Sequence, residues 1–369
     1  MANITRASAL SCRHRDLGAK LEEYIRMGVP KTYSTDPCDE HDAVRDAAGM
    51  YDFTAFLKFY VKGPDAEAVL NHAVTFDVTK VAPGQSKYGP FLRENGTICD
   101  DGIMFNLGDD EYLVVHGDGC AKNMVEESSK GKNVSVDYAY GLHLISLQGP
   151  KALELLNQHT PIDLPPLKYF HHQKTEVFGI PCLLSRTGFS GERGYEIFVP
   201  PYVACDIWDN ILRYGKDMGI MPCSFSSVFP LRMEAGLRWR RFDLMEFTPW
   251  EVGMGWVVSR TKGDFRGKEA VLAAEGKERF LLCGLVADID HALTGGEQLM
   301  HNGQEVGVVN DSPAYSHRLK KSLALARLKP EFATRGTKVE VVGEGRSCTA
   351  TVERIPFYDP EKKRTHEEN

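Results

Sequence analysis

The chain has 369 residues, enough for two or three domains and for a hydrophobic core that needs no disulfide or metal staple. Its 44 basic and 51 acidic side chains leave a net charge of −7, which argues against nucleic acid as a partner, and no apolar run of about 18 residues is present to span a membrane. Nine cysteines stand singly without a Cys-x-x-Cys pair, and the start lacks an apolar leader, so a cytoplasmic protein with incidental thiols is expected.

Residues 1–35 are polar, with Leu17, Leu21, Tyr24 and Ile25 at helical spacing. The run 39–48 reads as a helix ended by Gly49, and 50–61 as one aromatic, β-branched strand. Gly63-Pro64 is a turn before a capped helix over 65–73. Residues 86–117 read as a meander of three strands, with turns at 94–96 and 108–110. The order then recurs, with a strand at 142–147, Gly149-Pro150, a helix at 151–159, strands over 174–186 and 192–199, and a helix at 202–218. The pair KFYVKGPDAEAVL and LISLQGPKALELL suggests an internal duplication. Further helices are expected at 225–234 and 263–274, with a strand at 255–258. Five short strands after residue 279 indicate a small β-barrel or sandwich, and the charged tail 359–369 is expected to fray. The subdomain boundaries expected on this basis are 1–140, 141–278 and 279–369.

No dinucleotide fingerprint, P-loop, nucleophile elbow or H-E-x-x-H is present, and no metal centre is expected. His171 and His172 are adjacent, which suits a surface pair better than a metal site. Four constellations stand out. Asp100 and Asp101 point to opposite faces of a strand, so one can enter a pocket while the other meets solvent. Cys99, Ile103 and Phe105 share a face with Asp101, which makes Asp101 the inward acid and a candidate general base; a solvated hairpin start is the plain alternative. The loop Arg186–Arg193 is glycine-rich and leads to Glu196, a strand carboxylate that needs a partner, in the protein or on a ligand. Arg232 and Glu234 lie two apart on an apolar helix and need separate partners; Arg232 suits either a ligand carboxylate or a buried ion pair. The fourth is Trp250 to Trp256 followed by DFRGKEAV, whose aromatics are equally explained as core.

In this order and spacing, DEHDAVRDAAGMYD, KYGPFLRENGTICDDGI, SRTGFSGERGYEIFVP, LRMEAGLRW and TPWEVGMGWVV resemble the folate-binding family of the glycine cleavage T-protein over roughly residues 36–355. The resemblance implies an α+β architecture, in which a duplicated folate-binding body and a C-terminal β-barrel domain form three subdomains around a central channel. It implies tetrahydrofolate as cofactor, with Asp101 beside its reactive nitrogens, Glu196 on the pterin edge, Tyr88 and Phe189 along the ring site, and Arg232 and Trp256 among the binding residues. Arg238 to Arg241 offer a second source of positive charge for an anionic folate tail.

Departures bear on the substrate. Phe189 stands where aminomethyltransferases of the family usually have Tyr, Asp52-Phe53-Thr54-Ala55 replaces Asp-Val-Ser-His, and Arg240-Arg241-Phe242 replaces Tyr-Gly-x. FLKFYV is nearer the sarcosine and dimethylglycine type. The expected activity is therefore a tetrahydrofolate-dependent methyltransferase that demethylates a small methylated S-, N- or O-compound. The alternative is an aminomethyltransferase yielding methylene-tetrahydrofolate, and an oxidase or carrier-protein partner stays open. A third reading, a non-catalytic folate protein of iron–sulfur assembly, is disfavoured because Lys262-Gly263-Asp264 lacks the Cys of the Lys-Gly-Cys motif.

Overall fold

A computed structural model describes residues 4–343 and 345–366. Two mixed layers and a barrel build the molecule. The first sheet runs, in spatial order, Ser86–Leu92, Ile98–Gly108, Glu111–His116, Leu57–Lys62, Ser135–Tyr138. The second runs His172–Val177, Ile180–Ser185, Gly194–Val199, His143–Gln148, Ala48–Asp52, Ile220–Pro222. In each, three meander strands are followed by the strand that precedes the Gly-Pro turn, so the repeated order in the sequence becomes a repeated sheet order. Gly63 and Gly149 open those turns at φ +130° and +134°, where a Cβ would lie 2.6 Å from Asn133 O and from the carbonyls of Val44 and Ala47. Only glycine fits both the angle and the space.

The meander, the helix Phe225–Glu234 and the barrel strands fall where expected. The barrel closes through Leu281–Ala287, Arg346–Glu353, Lys338–Gly343, Gln298–His301, Gln304–Val309 and Lys321–Leu328, since the first also pairs with the last; Ala314–Ser316 is a short addition to Lys321–Leu328. Gln298–His301 and Ala314–Ser316 went unread in the sequence.

Several expectations are corrected. Residues 50–61 are not one strand: Ala48–Asp52 belongs to the second sheet and Leu57–Lys62 to the first. Asp52 accepts the Thr54 N–H at 2.9 Å, and this Asx-type turn breaks the extended run. The chain therefore crosses between sheets well before residue 140. Lys20–Tyr24 and Met27–Thr32 form a hairpin, not a helix, with Ile25 and Arg26 at φ +51° and +61° in its turn. Leu21, which mimicked a helix face, is exposed. Gly255–Val257 is a single 3-10 turn, and the helix expected from 263 begins at Lys268. Asp65 does not cap its helix through the side chain; its Oδ2 accepts from Asn133 N–H instead. The tail is docked as far as His366, Arg364 Nε donating to Glu192 Oε2 at 2.6 Å and Thr365 Oγ1 to Gly191 O at 2.9 Å, and residues 367–369 lie outside the described residues.

Separate apolar clusters fill each sheet's helix-facing side and the barrel. A further cluster, including Tyr51, Phe53, Phe105, Leu113 and Phe198, joins the two sheets face to face. Among the described residues, no helix is long and apolar enough to cross a membrane.

Candidate active site

Beside that joining cluster lies a cavity of about 1050 Å³. The first sheet contributes Tyr88 and Asp101, the second Glu196, the loop before it Phe189, and the segment after the barrel Ile355 and Tyr358. Both sheets and the segment that follows the barrel thus meet around one chamber, which is large enough for a molecule of folate size.

The acid is placed by strand register. Pro90 pairs with Asp101 and Tyr88 with Ile103 across an antiparallel ladder, so Tyr88 and Asp101 are diagonal neighbours on one face. Tyr88 donates its hydroxyl to Asp101 Oδ2 at 2.7 Å. Among the described residues Asp101 Oδ1 has no protein partner. Asp101 reaches the cavity but lies deep in the protein; burial first, and then the charge of Asp100, push its carboxyl up to about 7. Asp100 does not face solvent as its alternation suggested. It is fully buried, accepting from His116 Nδ1 at 2.9 Å and Ala121 N–H at 2.8 Å, with Arg240 Nε 3.6 Å away. Helix Ala121–Ser128 covers that face of the sheet, so Asp100 is withdrawn from bulk water, while Asp101 is half-buried at the cavity wall. The two carboxylates therefore play different parts. Asp100 is tied down by protein donors, and Asp101, raised to about 7, keeps one oxygen without a described protein partner.

Glu196 lies opposite Ser185 in the second sheet and accepts from Thr187 Oγ1. It is buried at the cavity wall, and burial raises its carboxyl above the ordinary range. The glycine-rich loop is moulded on Gln148, which bonds Ser190 Oγ at 2.8 Å and Thr187 O at 3.2 Å; neither Gly188 nor Gly194 has room for a Cβ beside it. That fit brings Phe189 over the chamber, its ring 5.9 Å from Trp239. Lys58 fixes the opposite wall. Its buried ammonium bonds Thr54 O at 3.0 Å and Phe56 O at 2.9 Å, holding the turn that presents Phe53 and Phe56 to the cavity. Trp256 stands at the cavity with its side chain 66 % exposed, and Lys87 lies 5.7 Å from its ring.

Arg232 does not line the cavity. It is fully buried, with Nη1 on Asp243 Oδ2 at 2.8 Å and Nη2 on Ser312 O at 2.9 Å, the ion-pair alternative rather than a ligand clamp. The cationic wall comes from the neighbouring cluster. Arg238 lines the chamber with its Nε buried and without a hydrogen-bond partner, and Arg240 lines it while bonded to Asp118 and Cys99 O. Tyr24, from the unexpected hairpin, and His366, from the docked tail, also reach the chamber. His172 is buried on Asn106 O rather than at the surface, and His171 lines the cavity.

Aromatic walls, carboxylates at one wall and an unsatisfied guanidinium at another suit an aromatic, anionic ligand such as a folate. The family model "GCVT N-terminal domain" matches residues 10–262, and "Glycine cleavage T-protein C-terminal barrel domain" matches residues 281–359. The chain belongs to the glycine cleavage T-protein family. Over 374 residues it is 41 % identical to a "Heme-dependent oxidative N-demethylase gamma subunit" of Ectopseudomonas mendocina, covering 99 % of each. It is 32 % identical to an "Aminomethyltransferase" of Halothermothrix orenii, covering 93 % of this chain and 97 % of the relative. The glycine cleavage system aminomethyltransferase T of Bartonella henselae superposes with a TM-score of 0.89 at 25 % identity, over 96 % of this chain and 98 % of that one. The duplicated body with its barrel, the family and the class of enzyme expected from the sequence thus stand. This member of the T-protein family is a folate-dependent one-carbon transferase.

Proposed function

We propose that this T-protein relative moves a one-carbon unit from a small N-methylated amine to tetrahydrofolate, receiving the carbon at the oxidation level of formaldehyde from an oxidising partner. The observation that carries the chemistry is Asp101, hydrogen-bonded by Tyr88 and held near neutrality inside an aromatic chamber. The choice of an N-methyl donor rests on the 41 % identity, over nearly the whole of both chains, to a protein named for oxidative N-demethylation. Oxidative removal of an N-methyl group leaves its carbon as an iminium or formaldehyde equivalent, two electrons more oxidised than methyl.

Tetrahydrofolate, when bound, supplies nucleophilic amine nitrogens for that carbon. Asp101 accepts, through Oδ1, the proton lost as the new N–C bond forms, and returns it to the donor nitrogen as the old C–N bond breaks. Proton transfer of this kind is typically worth about 10²–10⁴-fold. Tyr88 fixes the carboxyl through Oδ2, and burial keeps its phenol protonated so that it stays a donor. Glu196 would accept N–H groups from the ring edge of the ligand, Phe189 and Trp239 would cover its face, and Arg238 would meet its anionic portion. Phe53, Phe56 and Phe189 exclude water and present π faces to a cationic amine.

A second reading, aminomethyl transfer from a carrier protein, is favoured by the extent of the aminomethyltransferase match and by the superposition on the Bartonella enzyme. Isotope tracing tests the first reading and separates it from direct methyl transfer. With ¹³C-methylated amine, tetrahydrofolate and an N-demethylating oxidase, the label should appear in methylene-tetrahydrofolate, faster with this chain than without it. Label in methyl-tetrahydrofolate from the amine alone, without the oxidase, would instead establish direct methyl transfer.

A further inference from the structure

Away from the cavity, two imidazoles and a carboxylate meet where the barrel is clamped to the body. His41 and Asp42 lie on helix Pro37–Asp46, and His317 follows the strand Ala314–Ser316. None of the three lines the chamber. His41 Nε2 is 3.0 Å from each oxygen of Glu234. Glu234 also accepts from Arg45 at 2.6 Å and from Ser316 Oγ at 2.5 Å. An ionised carboxylate only accepts, so Nε2 carries a hydrogen, and in that tautomer of the ring Nδ1 presents a lone pair. That lone pair faces Asp42 Oδ1 at 3.5 Å, another acceptor. His317 Nε2 lies 2.9 Å from the same oxygen, and the three atoms are within 4.8 Å of one another. Two acceptors facing each other need a positive group between them, either a proton on Nδ1 or a bound cation.

We propose that His41 Nδ1, Asp42 Oδ1 and His317 Nε2 form a binding site for a divalent transition-metal ion, with zinc preferred. A tetrahedral ion with bonds of about 2.05 Å sets its ligand atoms about 3.3 Å apart, and separations of 3.5 and 2.9 Å bracket that value. Two imidazoles and one carboxylate suit zinc or cobalt rather than magnesium or calcium. Glu234 supplies the outer bond that orients a metal-ligating histidine and fixes its tautomer. The side chains of His317 and Asp42 are 28 % and 44 % exposed, which leaves an entry path and a fourth position for water. Arg318 also touches Asp42, at 3.2 Å, but holds Asp46 through two shorter bonds of 2.8 and 2.9 Å and keeps those when an ion takes Oδ1. The ion joins the helix Pro37–Asp46 of the body to the barrel and so acts as a clip between them. No motif announces it, because 275 residues separate Asp42 from His317.

The test uses the untagged, metal-stripped full chain, titrated with zinc by calorimetry and with Co²⁺ by visible absorption. One ion per chain at micromolar affinity or tighter is expected, with a rise in melting temperature of about 2–5 °C at saturation. H317A should weaken binding at least tenfold and abolish the thermal shift while leaving folate binding intact. D42N should do the same and serves if H317A is poorly folded. Absence of binding to the wild type would overturn the site and indicate a doubly protonated His41. Equal affinity in wild type and H317A would also overturn it, placing the ion on cysteines.

Discussion

Replacing Asp100 by Asn probes how the fold prepares Asp101. The Asp100 carboxylate never reaches the cavity, yet it is a fixed charge one residue from the candidate base, anchored by His116 and the Ala121 N–H. Asn keeps the shape and one accepting oxygen for Ala121, and removes the charge. Two unit charges about 8 Å apart at an effective dielectric of about 20 interact by about 2 kcal/mol. Arg240, 3.6 Å from Asp100, offsets part of this. A base works only when deprotonated, so the wild-type rate should rise with pH through about 7. In D100N that rise should move down by about one pH unit, because burial alone then raises Asp101. The assay is kcat/KM for one-carbon transfer between pH 5 and 9, with melting temperature as a check on folding. A folded D100N whose profile does not move, or moves up, would refute the electrostatic pairing of the two acids.

Two further perturbations test the walls. R238M removes a cavity cation whose Nε has no hydrogen-bond partner, and the loss of a charge-assisted contact, about 1.5–3 kcal/mol, should weaken folate binding by roughly ten- to a hundredfold in calorimetry; an unchanged Kd would show that Arg238 does not meet the ligand. Lys58 is held down to about 7 by burial, so the unfolded chain binds a proton there up to its ordinary pKa of 10.5 while the folded chain does not. Stability should therefore climb between about pH 7 and 10 through this group, and K58M should flatten that climb in urea titrations by about one proton's worth of slope; an identical slope in both would show that Lys58 does not cause it.

The parts of the site that were legible in the sequence are those built by local geometry. Strand alternation put Asp101 on an apolar face beside Tyr88, and the three glycines around Phe189 announced a loop pressed against something, which proved to be Gln148. Arg232 and Arg238 show the limit. Both are arginines in one short segment, and only packing decides that the first pairs with Asp243 away from the cavity while the second faces the chamber. Tyr24 and His366 were hidden for a similar reason. One sits in a hairpin whose apolar spacing imitated a helix, and the other in a charged tail that is tied down by Glu192 and Gly191, more than 170 residues away. The crossing at residues 53–56 reads as continuous strand because its breaker is a side-chain bond, Asp52 to Thr54, in a run of strand-forming residues.

The central claim is that Asp101 moves the proton while other groups hold the folate. The most direct test is D101N measured twice on one preparation: the Kd for tetrahydrofolate by calorimetry, and the rate of label transfer into methylene-tetrahydrofolate. The expected result is a Kd within a few-fold of wild type and a rate lower by about 10²–10⁴. A variant that binds folate and turns over at the wild-type rate would contradict the claim.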